Sequence, residues 1–132
     1  MAFNGQWYIK VGAYPIPLSY MKAGSYKSAP LQRQDNDSYV DADGYLHRNP
    51  MEHTRSKLEF ETTYMYDFQM RDLWDNITAN YTNWLERKVH LTYYNEEYDT
   101  YDEGDFYLPG TVEFKHENKF VYGENRVAFI EY

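Results

Sequence analysis

The sequence contains no cysteine, which excludes a disulfide framework, a thiolate metal site and a cysteine nucleophile. It also lacks any apolar run close to the ~20 residues that span a bilayer, and residues 1–5 lack the basic and apolar regions of a signal peptide. Basic residues are scarce, with 13 Lys and Arg against 21 Asp and Glu, so the formal charge is −8. Non-specific nucleic-acid binding depends on Lys and Arg that neutralise phosphates. We therefore expect a chain made in a cytoplasm, with no membrane partner and no specific DNA binding.

Motifs that support catalysis are missing as well. There is no Gly-x-Ser-x-Gly, no P-loop and no Gly-x-Gly-x-x-Gly, and the four histidines show no His-Glu-x-x-His spacing. The Asp41-Ala42-Asp43-Gly44 cluster resembles the start of a calcium loop. With Gly44 as the sixth loop position, however, Tyr39 and Pro50 take the first and twelfth, where oxygen ligands are required. We expect no enzyme activity, no cofactor and no metal site, and we interpret the cluster as a turn.

Aromatic residues are abundant: 16 Tyr, 7 Phe and 3 Trp make up 20% of the chain. Large rings with a polar edge suit half-buried strands, subunit interfaces and sugar-stacking surfaces. The excess therefore favours a β-rich protein that binds a partner, without selecting the partner.

Alternation of apolar and polar residues predicts about seven short strands. The clearest is 57–62, in which Leu58 and Phe60 alternate with polar residues. Pro15 and Pro17 make 14–18 an edge or extended segment and exclude helix there. The predicted strands are 7–11, 45–48, 57–62, 89–94, 106–108, 111–114 and 126–132, and the acidic stretch 95–104 is predicted as a turn.

One amphipathic helix is predicted over about residues 67–85, with Asp67 as its N-cap and with Arg87 and Lys88 near its end. Its apolar residues recur at helical intervals and draw a single stripe. The stripe comprises Met70, Leu73, Trp74, Ile77, Tyr81, Trp84 and Leu85. Two Trp on one stripe imply docking against a sheet, so we expect a helix–sheet core. Its predicted members are Trp74, Ile77, Tyr81 and Trp84. The pattern as a whole predicts one α+β domain, 1–132, in which the helix flanks a mostly antiparallel β-sandwich or sheet.

A long polar segment, residues 19–52, interrupts the pattern of strands. Loops beyond about 15 residues are usually functional or disordered, so we interpret this segment as a long loop or arm within the domain. Apolar and aromatic side chains are spread through it among Gly, Ser and Asp, where its own short periodicity cannot bury them, and this indicates a partner. The resulting subunit-interface candidates are Tyr20, Met21, Tyr26, Leu31, Tyr39, Tyr45 and Leu46.

The arrangement of residues 35–132 resembles a known group of proteins. An Asp-x-Asp-Gly turn and a polar stretch lead to Lys57–Glu61 and then to the helix that begins at Asp67. The strand around Tyr93-Tyr94 precedes an acidic turn, and the segments 106–110 and 127–132 follow. This order resembles the short tail-associated structural proteins of siphophages that infect Gram-positive bacteria, and more distantly the tail-tube and distal-tail group.

The resemblance implies a non-enzymatic structural component of a phage tail, located in the virion as a tube, distal-tail or baseplate-type ring subunit. It implies a β-sandwich flanked by one helix and a homo-oligomeric ring, for which six subunits is one option, assembled with other tail proteins around a DNA channel. In the tail-tube-like group, a long early loop reaches a neighbouring subunit or ring. A negative wall would repel passing DNA without binding it specifically.

Two other classes of function remain open. A carbohydrate-binding β-sandwich module would use Tyr and Trp as stacking platforms, but the predicted helix turns Trp74 and Trp84 inward and leaves Trp7 and the tyrosines. An acidic inhibitor that mimics DNA would need carboxylates in phosphate-like rows, and the 13 basic residues interspersed among the acids weaken that interpretation.

Overall fold

The structure, a computed structural model, describes residues 3–132. It is an antiparallel β-sheet of eight strands with a single 13-residue α-helix, which confirms the predicted α+β class. The strands of this sheet are β1 (Ile9–Val11), β2 (Tyr14–Pro15), β3 (Lys27–Gln32), β6 (Arg55–Glu61), β8 (Tyr81–Asn83), β9 (Lys88–Asn95), β10 (Thr100–Tyr107) and β12 (Arg126–Glu131). Their order in the sheet is β2-β1-β9-β10-β12-β6-β3, and β8 pairs with β9 beside this path.

Four further two-residue strands form two small ladders outside the main sheet. They are β4 (Tyr39–Val40) with β5 (Leu46–His47), and β7 (Met65–Tyr66) with β11 (Val121–Tyr122). Within residues 3–132 the total is therefore twelve strands and not the seven or so predicted. Alternation missed β4, β7 and β11, which have two residues each, β8, which has three, and β3, which does not alternate.

The core lies on one face of the sheet, where alternate residues of β6 and β9 point inward. Leu58 and Phe60 are buried in β6, and Val89, Leu91 and Tyr93 are buried in β9. The same face packs the helix α1 (Asp67–Ala79) through Met70, Leu73, Trp74 and Ile77, all of them buried. The predicted docking of an amphipathic helix is therefore confirmed for the first part of the stripe.

The helix ends at Ala79 and not at about residue 85 as predicted, and its N-cap is one residue before the predicted Asp67. Tyr66 is the N-cap, and its backbone N–H donates to Oε1 of Gln69 at 3.0 Å. At the other end Asn80 is the C-cap, and its Nδ2 donates to the backbone oxygen of Asn76 at 2.7 Å. The chain then leaves the helical path, because residues 81–83 form β8 and pair with β9.

Trp84 and Leu85 consequently do not belong to the core, and the prediction for Trp84 is wrong. They occupy the turn between β8 and β9, with 75% and 77% of their side-chain surface exposed. Tyr81 is half-buried and packs against the core from a strand. Arg87 and Lys88 also lie away from any helix end: Arg87 is in the turn, and Lys88 opens β9.

One strand begins earlier than predicted, and one predicted strand does not form. The strand β10 begins at Thr100, so the acidic turn covers only 96–99. Glu103 is exposed, and the half-buried Asp102 accepts a 2.7 Å hydrogen bond from Nδ2 of Asn95, so neither carboxylate disturbs the pairing. Residues 111–114 alternate like a strand but form none. Phe114 instead packs edge-on against Trp74, with ring centroids 5.1 Å apart.

The segment 19–52, expected as one long loop or arm, divides into two parts. Its first part contains a short 3-10 helix (Leu18–Tyr20) and the edge strand β3, which pairs with β6. Pro30 is tolerated because β3 lies at the sheet edge, and a register shift between Ala29 and Gln32 accompanies it. The second part, residues 33–54, connects β3 to β6 and contains the ladder of β4 and β5; we call it the arm.

Candidate assembly surface

The tip of the arm is a hairpin organised by one aspartate. Oδ1 of Asp41 accepts the backbone N–H groups of Asp43 and Tyr45, both at 3.0 Å, and its Oδ2 lies 2.7 Å from Nε2 of His47. Gly44 has a φ of 87°, which favours glycine at this turn. The contact with His47, helped by the backbone N–H groups, lowers the pKa of the Asp41 carboxyl. The Asp41–Gly44 cluster thus forms a turn in which the Asp41 carboxylate accepts the backbone N–H groups of the residues that follow it.

The lower half of the arm is closed by an ion pair and by backbone hydrogen bonds. Nε and Nη2 of Arg48 donate to the two carboxylate oxygens of Asp35, each at 3.0 Å. The N–H of Asn36 donates to the backbone oxygen of Asn49 at 2.8 Å. Two-stranded hairpins are marginally stable alone, and these cross-strand contacts stabilise this one.

Side-chain contacts with the sheet hold the base of the arm. Nη1 of Arg33 donates to both carboxylate oxygens of Glu97 at 3.1 Å, and its Nη2 donates to the hydroxyl of Tyr98 at 3.0 Å. On the returning side, Nε2 of His53 lies 2.6 Å from the backbone oxygen of Tyr132. The outgoing side of the arm is therefore fixed at the β9–β10 turn, and the returning side is fixed at Tyr132, next to the end of β12.

Beyond this base the arm is exposed to solvent. Every residue of 33–54 except Asp41 and Thr54 is exposed. The apolar residues Tyr39, Val40, Tyr45 and Leu46 are between 58% and 71% exposed, and we call these four the arm tip. The β4–β5 register places Val40 and Leu46 on one face of the hairpin and Tyr39 and Tyr45 on the other, so both faces carry exposed apolar side chains. Exposed apolar surface is typical of an interaction site, so the arm tip is the first candidate contact.

The seven predicted interface residues therefore fall into two groups. Tyr39, Tyr45 and Leu46 lie together on the arm tip. The others belong to the body: Met21 is buried, Leu31 is half-buried in β3, and Tyr20 and Tyr26 pack against the core. Tyr20 is further held by a 3.0 Å hydrogen bond from its hydroxyl to Asp72 of α1.

A second exposed apolar surface surrounds the β8–β9 turn and was missed by sequence reasoning, which placed Trp84 and Leu85 on the helix. Here a groove of about 550 Å³ lies against the ends of β9 and β10. We call it the Trp84 groove. Its lining residues are Trp84, Leu85, Glu86, Arg87, Tyr107, Leu108, Gly110 and Tyr132. The signal that could have revealed it is Asn80-Tyr81-Thr82-Asn83, since Asn and Thr are poor helix formers.

Two cationic side chains, Arg87 and Lys88, border the groove, and both contact uncharged groups there. Nη1 of Arg87 donates to the backbone oxygens of Pro109 and Gly110, at 3.1 and 3.2 Å. Nζ of Lys88 lies 5.1 Å from the ring centroid of Tyr132. Glu86, on the same rim, accepts a 3.0 Å hydrogen bond from the hydroxyl of Tyr132.

Within residues 3–132, no three His, Asp or Glu side chains are grouped so that they could hold a metal ion. The single helix of the same range is too short to cross a bilayer.

The family to which the sequence belongs follows from a match over its whole length. The model of the family described as "Family of unknown function (DUF6711)" matches residues 1–132. The chain is a member of DUF6711. No curated protein matches this DUF6711 chain.

The fold of the DUF6711 chain is similar to that of a chain in a solved structure described as the tail of an empty GTA particle, computed with helical refinement and C6 symmetry. The TM-score is 0.54, and the match covers 100% of this chain and 95% of the other. Identity is 10%, so the similarity shows a shared fold and does not by itself show a shared function.

Proposed function

We propose that this chain is a non-enzymatic structural subunit of a phage-like tail and that it associates with copies of itself. The observation that carries the proposal is the fold similarity to a tail chain over the full length of this protein. The resemblance of residues 35–132 to siphophage tail-associated proteins points the same way from the sequence alone. Virion location and partnership with other tail proteins are parts of this proposal.

A ring around a DNA channel is the assembly we propose. The particle that contains the similar chain has C6 symmetry, which supports six subunits per ring. The net charge of −8 suits a channel through which DNA passes, because a negative wall repels phosphates and does not retain them. Tail tube, distal tail and baseplate-type ring are all compatible with this arrangement.

The arm is the proposed contact between subunits. It is closed by its own cross-strand bonds and fixed at its base, yet its apolar tip has no cover within the described chain. Burial of Tyr, Val and Leu side chains at a partner would supply about 25 cal/mol per Å² of apolar surface. The ordering cost is reduced because the hairpin is already formed.

The test shortens the arm without disturbing the sheet. Residues 37–47 are replaced by a Gly-Ser linker, which keeps β3 and the Asp35–Arg48 pair. We expect a folded monomer with unchanged helical circular dichroism and a loss of oligomers in light scattering. Phe120→Ser is the matched control, because it removes an exposed aromatic (63% exposed) outside the arm and should leave assembly intact. Full assembly of the shortened chain would overturn the role of the arm.

Carbohydrate binding is a second candidate, supported by one observation. Trp84 is exposed beside Tyr107, Tyr132 and Glu86, so the chain has an aromatic platform that the sequence had assigned to the core. Glycan-array binding that Trp84→Ala abolishes would support this function. Absence of glycan binding by the intact chain would reject it.

A further inference from the structure

The arm is an acidic as well as an apolar element. Residues 34–47 contain four Asp and neither Lys nor Arg. Asp35 is paired with Arg48 near the base, and Asp41 contacts His47, so Asp37 and Asp43 supply most of the negative charge of the upper arm. A surface that receives the arm tip should therefore combine an apolar floor with positive charge at its edge.

The Trp84 groove has this combination. Its floor includes Trp84, Leu85 and Leu108, and Arg87 and Lys88 supply positive charge at the rim. Exposed Trp and Arg are the residue types that most often dominate binding energy at interfaces. Glu86 partly offsets the charge, but its carboxylate accepts hydrogen bonds from Tyr132 and Asn83.

The outgoing base of the arm and the groove lie at opposite ends of the β9–β10 hairpin, whereas the returning base, at His53, contacts the backbone of Tyr132, whose residue also lines the groove. Arg33 binds Glu97 and Tyr98 in the turn that connects the two strands, whereas Lys88 and Tyr107, paired at the other end, border the groove. Eight paired residues at about 3.3 Å each separate the two ends by about 25 Å. The arm tip is exposed, so it does not occupy the groove of its own chain.

We propose that the arm tip of one copy docks into the Trp84 groove of the next copy, head to tail. The inference rests on the proposed self-association and names the receiving surface. Two different patches on one subunit give a heterologous contact, which closes into a ring or continues as a stack according to the rotation between copies. The arm reaches at most about 30 Å from base to tip, the fully extended length of about nine residues at about 3.3 Å each.

Cysteine cross-linking tests the docking without a background, because the chain has no cysteine. Two single variants, Leu46→Cys on the arm tip and Leu85→Cys in the groove, are mixed and oxidised. We expect a disulfide-linked heterodimer, identified by the linked peptide in mass spectrometry. The matched control replaces Leu85→Cys by Phe120→Cys, an exposed position outside the groove, and should give little cross-linked product.

Light scattering on the same samples separates the two levels of the proposal. If the chain self-associates but position 46 links to 120 as well as to 85, or not to 85 at all, the docking site is wrong and the proposed function stands. If the chain stays monomeric at every concentration, both are overturned. A glycan bound at Trp84 with no self-association would likewise overturn the docking and assign the groove to carbohydrate.

Charge reversal gives an independent test. Asp43→Lys places a cation beside the arm tip, and we expect a loss of about tenfold in apparent association, which is the lower end of the coupling known for close charge pairs across interfaces. Lys88→Glu in the same chain should restore part of the loss. Glu113→Lys, an exposed change of equal charge outside both surfaces, is the control. Equal effects of Asp43→Lys and Glu113→Lys would show that only net charge matters and would overturn the proposal.

Discussion

Arg48 and Asp35 form a two-pronged ion pair that joins the two sides of the arm, with both N–O distances at 3.0 Å. The pair fixes the arm below its apolar tip. We predict that Arg48→Gln changes the free energy of unfolding little, because surface ion pairs contribute little, but reduces self-association strongly. Urea unfolding and light scattering measure the two effects.

The matched control for this change is Arg126→Gln. Arg126 binds Glu59 through Nε and Nη2 in the main sheet, and both partners have exposures similar to those of the arm pair. It should alter stability by a similar small amount and leave assembly unchanged. Equal loss of assembly in both variants would show that the arm pair has no special role.

Ile77 and Trp84 belong to one apolar stripe in the sequence, but only Ile77 is buried, so we expect their substitution to affect the free energy of unfolding differently. Ile77→Ala removes a fully buried side chain and should cost about 2–5 kcal/mol of unfolding free energy. Trp84→Ala removes an exposed one and should change that free energy by about 0.5 kcal/mol or less. Urea denaturation of both variants is the measurement. A larger loss for Trp84→Ala would contradict the exposed turn.

The apolar stripe of residues 70–85 shows how much of the helix could be predicted from local periodicity. Its first half is confirmed, because Met70, Leu73, Trp74 and Ile77 are buried together. The second half continues the helical period by coincidence, and pairing of β8 with β9 outweighs it. That pairing depends on β9, which follows β8 in the chain. The periodicity of residues 67–85 carries no information about this later strand.

The arm was predictable only in part, for a related reason. The polar composition with scattered aromatic residues predicted a segment that contacts another subunit. Tyr39, Tyr45 and Leu46 are exposed in this segment. Met21, with the same surroundings in sequence, is buried instead. Met21 forms an isolated β-bridge with Thr62, a pairing distant in the sequence that local composition does not predict.

Acid should loosen the arm through two carboxylates. Arg48 lowers the pKa of Asp35, and His47 with the backbone N–H groups lowers that of Asp41. A lowered pKa in the folded state stabilises the arm above the ordinary carboxyl pKa, about 4, and this stabilisation is lost as the pH falls further. We predict that NMR amide signals of the arm lose dispersion below about pH 4, before those of β9 and β10 do.

The internal reference for this titration is the β9–β10 ladder in the same spectra. Asp41→Asn keeps an oxygen for the turn but removes the ionisable group, so its arm should respond less to acid. Simultaneous loss of arm and ladder signals in the parent chain would contradict separate control of the arm.

Alkali should act on the core through Tyr93. Burial raises the pKa of this phenol, whose hydroxyl lies 3.0 Å from that of Ser56. A raised folded-state pKa stabilises the fold below the unfolded value, about 10, and this contribution is lost as the pH rises above it. Tyr93→Phe should therefore be about 1 kcal/mol less stable than the parent at pH 7, and the gap should narrow at about pH 11. Melting curves at the two pH values measure it, and an unchanged gap would contradict the prediction.

Self-association of the intact chain is the property on which the proposed tail function depends most directly. Negative-stain electron microscopy of the purified protein, combined with sedimentation velocity over increasing concentration, measures it. We predict rings or stacked rings with six-fold symmetry that disappear when residues 37–47 are replaced by the Gly-Ser linker. A single monomer boundary at every concentration, with no rings on the grid, would contradict the proposed function.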